Sequence, residues 1–122
     1  MEKILVFGHR SPDTDTICSC IVMADLQKKV RGVDGIVPCR LGEINEETQY
    51  ALNYFKAEVP QYVEKIEKGQ SVILVDHNEF SQSVEGIENA KIDTVVDHHR
   101  INNFQTAEPL YYYAQPVGCT ST

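Results

Sequence analysis

The residues able to do chemistry in this 122-residue chain fall into three short clusters. The first is Gly8-His9 followed by Asp13 and Asp15, the second is Asp76-His77, and the third is Asp97-His98-His99. Imidazoles mixed with carboxylates suit Mn, Fe, Co or Zn, and suit Mg alone less well. Carboxylates spaced like Asp13 and Asp15 can reach two neighbouring ions, and Asp76 can bridge them. Two ions about 3.5–4 Å apart are a general device for displacement at phosphorus, because they acidify a water and neutralise phosphate oxygens. A plainer reading makes His9, Asp13, Asp15, Asp76, His98 and His99 unrelated surface or capping groups, and Asp13 taken alone is well explained as a helix cap. His77 divides evenly between a site residue and a satisfied structural histidine. For Arg10 and Arg100 a solvated or ion-paired side chain competes with a phosphate contact. Asn78, Glu79 and Gln82 read more readily as structural hydrogen-bonding groups than as part of a substrate mouth.

The clusters matter only if the fold gathers them. Each follows a short, continuous apolar run: Ile4 to Phe7, Val72 to Val75 and Thr94 to Val96. Continuous runs rich in β-branched residues suit strands buried on both faces, as in a parallel sheet. Gly35 to Arg40 is a fourth strand candidate, and Leu110 to Tyr113 reads as an edge strand. Ile17, Cys20, Ile21 and Ala24 follow helical spacing, with Asp13 or Thr14 as cap and Gly32 as stop. A second helix is expected from Asn45, with Glu46 and Glu47 at its positive end and Ala51, Leu52 and Phe55 on its buried side. A third is expected over Gln61 to Lys68, between Pro60 and Gly69, and short helical structure near Gln82 to Ile87. This alternation predicts an α/β, doubly wound, mainly parallel sheet with flanking helices. Such sheets bind ligands at the carboxyl ends of their strands, which is where all three clusters lie. The loop from Arg10 to Thr14 would also present a helix N-terminus to a phosphate.

Bulk properties narrow the function. The net charge of −7 argues against nucleic acid as a partner, because no excess of Lys or Arg offsets phosphate charge. Tyr111 to Tyr113 are therefore read as a packed or paired edge rather than a base-stacking platform. No stretch approaches the roughly 20 apolar residues of a membrane span, and the N-terminus has no signal-peptide pattern, so the expected location is cytoplasmic. Cys18, Cys20, Cys39 and Cys119 match no zinc or disulfide spacing and read as small, mostly buried thiols. Neither a Walker loop nor a nucleophile elbow occurs, which disfavours a covalent serine or cysteine mechanism.

The segments Gly-His-Arg-Ser-Pro-Asp-Thr-Asp-Thr (8–16), Asp-His-Asn-Glu (76–79) and Asp-His-His-Arg (97–100) resemble the successive motifs of the DHH phosphoesterase superfamily. In detail they are similar to the manganese-dependent family II inorganic pyrophosphatases, a resemblance that Asn45-Glu-Glu-Thr-Gln-Tyr-Ala-Leu and Asn103-Phe-Gln-Thr-Ala-Glu-Pro-Leu-Tyr-Tyr extend over the whole chain. The resemblance implies hydrolysis of pyrophosphate to two phosphates with two or more Mn²⁺ ions, Co²⁺ or Mg²⁺ being substitutes. It implies that His9 and Asp13 bind one metal, that Asp15 and His98 bind the other, and that Asp76 bridges them. His99 would contact substrate or the leaving phosphate, and Asp97 would orient a ligand imidazole. It also implies a homodimer. Family members continue beyond the position of Gly118-Cys-Thr-Ser-Thr, so residues 1–122 are expected to be a partial DHH domain, with the C-terminal substrate-binding (DHHA2-like) domain absent. A DHH-type exonuclease or oligonucleotide phosphodiesterase is the alternative enzyme, and an inactive metal-binding or dimerisation fragment is the alternative outside enzymes.

Overall fold

The computed structural model of the chain describes residues 3–32, 34–77, 80–99, 106 and 109–120. Asn78, Glu79 and Arg100, and most of the 101–108 segment, lie outside the described residues, so the readings attached to them carry no structural outcome.

Six parallel strands form one sheet in the order β3-β2-β1-β4-β5-β6. They are β1 (Ile4–Phe7), β2 (Ile36–Arg40), β3 (Gln61–Tyr62), β4 (Ser71–Val75), β5 (Lys91–Asp97) and β6 (Tyr111–Ala114). Helix α1 (Thr14–Arg31) links β1 to β2, and α2 (Glu46–Phe55) links β2 to β3. The strands at the centre are buried on both sides, as their unbroken apolar runs require. Val6, Ile73 and Val75 pack on one face with Cys20 and Ala24 of α1. Phe7, Val72, Leu74 and Val95 pack on the other with Ile66, Val84 and Ile87. That second face is covered by irregular chain and the 3₁₀ turns Phe80–Gln82 and Ile87–Asn89, rather than by a long helix. No helix among the described residues is long and apolar enough to cross a membrane.

Helix α1 starts where its cap dictates. Asp13 is extended, and its side chain accepts a hydrogen bond from the Thr16 N–H. Gly32, in the left-handed region at φ 65°, ends the helix, with Lys28, Lys29 and Arg31 in the last turn, where the helix dipole favours cations. Asn45 caps α2 in the same way through the Thr48 N–H.

Two expectations fail. Gln61 to Lys68 is not a helix. Gln61 and Tyr62 pair with Cys39 and Arg40 as the edge strand, Val63 N–H donates to the Arg40 carbonyl at 3.0 Å, and Ile66 N–H donates to the Glu85 carbonyl at 3.0 Å. Docking Ile66 into the core and pairing the sheet edge outweigh a weak helical propensity. Phe55 is not on the buried side of α2 but is 77% exposed, edge-on to Tyr54. The buried face of that short helix is limited to Thr48, Leu52 and the half-buried Ala51.

Gly8, immediately after β1, sets how closely α1 approaches the sheet. A Cβ at this position would lie 2.1 Å from Thr16 Cγ2, far inside contact distance. Gly8→Ala is therefore expected to destabilise the fold by about 1–3 kcal/mol, the usual cost of overpacking, measured as a shift in the urea midpoint. Leu74→Ala, at a fully buried position, is expected to cost about 2–5 kcal/mol. Phe55→Ala, by contrast, should stay within about 0.5 kcal/mol of the parent. A large loss at Phe55 in the same urea series would mean that α2 packs differently.

Candidate metal centre

The carboxyl ends of β1, β4 and β5 lie side by side, and the residues that follow them meet in one place. β1 and β4 are neighbours although far apart in the chain. The strand order reverses between them, and an open α/β sheet forms its crevice at such a reversal. Asp76 follows β4 there, 2% exposed, with φ 61°. The left-handed backbone is costly for a residue with a side chain and persists only where its surroundings enforce it.

The contacts of Asp76 tie the clusters together. Its Oδ2 lies 3.3 Å from His9 Nε2 and accepts the Thr16 hydroxyl at 2.7 Å. Its Oδ1 lies 2.9 Å from His98 Nε2 and accepts the Thr120 hydroxyl at 3.0 Å. Outward from this centre, His9 Nε2 is 3.8 Å from Asp13 Oδ1, and His98 Nε2 is 3.5 Å from Asp15 Oδ2. The structure thus brings His9, Asp13, Asp15, Asp76 and His98 into one chain of contacts. Two groups of potential donors result, His9 with Asp13 and Asp76, and Asp76 with Asp97, His98 and His99; within each group the donor atoms lie within 4.8 Å of one another. Asp76 is common to both.

Electrostatics reflect the crowding of acids. Burial alone would raise the Asp76 carboxyl, but hydrogen bonds from His9, Thr16 and Thr120 outweigh it and hold the group well below the usual carboxylate range. His9 is pushed up to about 9, chiefly by its hydrogen bond to Asp76 and against the effect of burial. Burial lowers His98, yet the Val117 carbonyl and Asp76 raise it more, so its net shift is also upward. Among the described residues the ion pairs of Asp76 are all to imidazoles. The proton that His9 keeps at neutral pH supplies positive charge that a cation would otherwise supply. Nitrogen and oxygen donors grouped around one shared carboxylate fit a divalent ion such as Mn²⁺, so the residues present are suited to the metal.

Each ring is held from behind. His9 Nδ1 donates to the Arg10 carbonyl at 2.6 Å and His98 Nδ1 to the Val117 carbonyl at 2.9 Å, which leaves each Nε2 aimed at the carboxylates. His99 Nδ1 donates to Asp97 Oδ1 at 2.7 Å, and the ring is half exposed. The same Asp97 oxygen accepts the His98 and His99 N–H groups, so Asp97 fixes the whole turn after β5. His77 stands apart. Its Nδ1 donates to the Val75 carbonyl at 3.0 Å and its Nε2 meets the Ser83 hydroxyl at 2.9 Å, so both nitrogens are engaged within the core. Burial lowers its pKa and keeps the ring neutral. Gln82 contributes through its backbone, whose carbonyl holds the Arg10 N–H at 2.7 Å, while the Arg10 side chain stays exposed. The cysteines are free thiols. Burial pushes Cys20 and Cys39 up to about 12, and Cys18 and Cys119 are half-buried.

Sequence reasoning missed Thr16 and Thr120. Thr16 sits three residues after the capping Asp13, in the first turn facing the sheet, a position legible as structural but not as a donor to Asp76. Nothing in the order of residues pointed to Thr120, whose contacts with Asp15 and Asp76 bridge more than 40 positions.

The chain is 60% identical over 123 positions to a Bacillus subtilis protein named "Manganese-dependent inorganic pyrophosphatase", and 58% identical over 122 positions to an Oceanobacillus iheyensis protein named "Probable manganese-dependent inorganic pyrophosphatase". Each match takes in all of this chain and 39% of the relative, so the chain spans about two-fifths of their length. A Methanococcus jannaschii crystal structure assigned to the family II inorganic pyrophosphatases superposes with a TM-score of 0.86 at 42% identity, over 97% of this chain and 36% of that one. The model of the DHH family, N-terminal domain, matches residues 3–122, and the chain accordingly belongs to the DHH family.

Proposed function

We propose that this chain is the metal-binding N-terminal part of a manganese-dependent inorganic pyrophosphatase that hydrolyses diphosphate to two phosphates. The observation that carries the reading is the buried Asp76 carboxylate, common to two groups of metal-type donors at the switch point of the sheet. The names borne by similar proteins support the substrate. In this reading His9 and Asp13 hold one ion, Asp15 and His98 hold the other, and Asp76 is shared. Mn²⁺ held there would lower the pKa of a water, so that hydroxide could attack phosphorus, and would supply positive charge for the phosphate oxygens. His9 and His98 keep their Nδ1 protons on backbone carbonyls and offer the lone pair of Nε2. Asp97 holds His99 by Nδ1–H, so it is from the imidazolium form of the ring that Nε2 would hand a proton to the leaving phosphate, leaving the neutral ring with its Nδ1 proton on Asp97. The net charge of −7 supports a small anion rather than a nucleic acid as the substrate. The exposed edge strand β6, with Tyr111 and Tyr113 facing outward, supports pairing with a second copy as a homodimer. The location that goes with this reading is cytoplasmic.

The test uses the full polypeptide carrying this segment. Phosphate release from diphosphate should depend on Mn²⁺ and exceed release from a dinucleotide; dominant cleavage of the dinucleotide would overturn the assignment. Two variants test the roles. Asp76→Asn is expected to weaken Mn²⁺ binding by at least about tenfold, the loss typical of a disturbed metal site. His99→Gln is expected to slow hydrolysis by about 10²–10⁴, the usual contribution of a positioned acid, with Mn²⁺ affinity unchanged in calorimetry. Equal losses of rate and metal would make His99 a ligand.

A further inference from the structure

Two threonines occupy matching places on either side of Asp76. Thr16 is 1% exposed in the first turn of α1. Its backbone N–H donates to Asp13 Oδ1 at 2.9 Å, and its hydroxyl donates to Asp76 Oδ2 at 2.7 Å. Thr120 repeats the pattern. Its N–H reaches Asp15 Oδ1 at 3.2 Å and Oδ2 at 3.1 Å, and its hydroxyl donates to Asp76 Oδ1 at 3.0 Å. Each threonine therefore joins one outer carboxylate to one oxygen of the shared carboxylate, and the two threonines take different oxygens.

We propose that Thr16 and Thr120 are positioning residues, each setting the geometry of one of two cation sites that share Asp76. The inference rests on the metal reading above. An ionised carboxylate only accepts, so both hydroxyls must donate to it. Each Asp76 oxygen has two lone-pair directions. On Oδ2 one is filled by Thr16 and the other faces His9 Nε2; on Oδ1 one is filled by Thr120 and the other faces His98 Nε2. The hydroxyls thus fix the rotation of the carboxylate, and the direction left on each oxygen faces a ring nitrogen that would share an ion with it. The backbone N–H of the same threonine fixes the outer acid, so a single residue controls the separation of two ligands. Gly8 adds a constraint on one side, because the Thr16 methyl fills the space a Cβ there would need.

Partners behind metal ligands are typically worth about 10–100-fold in metal affinity, and the test is a Mn²⁺ titration of the full polypeptide, following free Mn²⁺ by electron paramagnetic resonance. Valine matches threonine in shape and lacks the donor; serine keeps the donor. Thr16→Val is expected to weaken one class of bound ion about tenfold and spare the other. Thr120→Val should weaken the other class instead, and Thr16→Ser and Thr120→Ser should bind as the parent does. Melting of the metal-free variants checks the fold, and if Thr16→Val does not fold, the Thr120 pair decides. Unchanged Mn²⁺ binding in the valine variants, with binding lost in Asp76→Asn, overturns the proposal and leaves the metal reading standing. Equal weakening by serine and valine also overturns it, since the loss would then follow any change at the position and not the hydroxyl. Absence of Mn²⁺ binding in the parent removes both the proposal and the reading beneath it.

Discussion

An ionised carboxylate buried at the end of a dry strand is the constraint around which this structure is organised. Asp76 has almost no access to water, and an isolated charge in that position would be strongly unfavourable. Its compensation is assembled from four separate stretches of chain: His9 after β1, Thr16 in α1, His98 after β5, and Thr120. None of these is near Asp76 in sequence, so the charge is tolerable only in the folded chain. The positive φ of Asp76 belongs to the same constraint, because it turns the backbone abruptly at the strand end while the side chain stays where all four donors can reach it.

The sheet makes that assembly possible. Parallel strands place every strand-end loop on one rim, and the order β3-β2-β1-β4-β5-β6 puts the first and fourth strands together with the fifth beside them. Helix α1 then has to come close enough for Thr16 to touch Asp76. Gly8 permits this approach, and the Asp13 cap starts the helix at the required point. The cap is thus not an alternative to a role for Asp13 in the site: one oxygen of Asp13 closes the helix, and the same carboxylate lies beside His9.

The parts of this arrangement that were legible in the sequence are those written in local pattern. Continuous β-branched runs identified β1, β4 and β5, and polar residues directly after each run identified the rim. Capping residues located both helices. Elements decided by distant partners were not legible. Gln61 to Tyr62 became strand because the edge of β2 was open to pair with it, and Phe55 remained outside because α2 touches the rest of the molecule through little more than one turn. The threonine hydroxyls were invisible for the same reason. A threonine in a first helical turn is ordinary, and only the sheet places an aspartate opposite it.

The four histidines show why residue type alone could not separate scaffold from site. Every one of them spends Nδ1 within the protein: His9 on the Arg10 carbonyl, His77 on the Val75 carbonyl, His98 on the Val117 carbonyl and His99 on the Asp97 carboxylate. The difference lies in the second nitrogen. In His77 it ends on a serine hydroxyl in the core, a neutral and closed arrangement that burial reinforces by lowering the pKa. In His9 and His98 it faces a carboxylate at the rim, which raises the pKa. His77 is adjacent in sequence to the central acid of the cluster yet points away from it, because the left-handed backbone at Asp76 turns the chain and His77 is held in the core by the Val75 carbonyl and the Ser83 hydroxyl. The pairing Asp76-His77 is therefore a joint between site and core: the aspartate serves the rim, and the histidine anchors its backbone to the layer beneath.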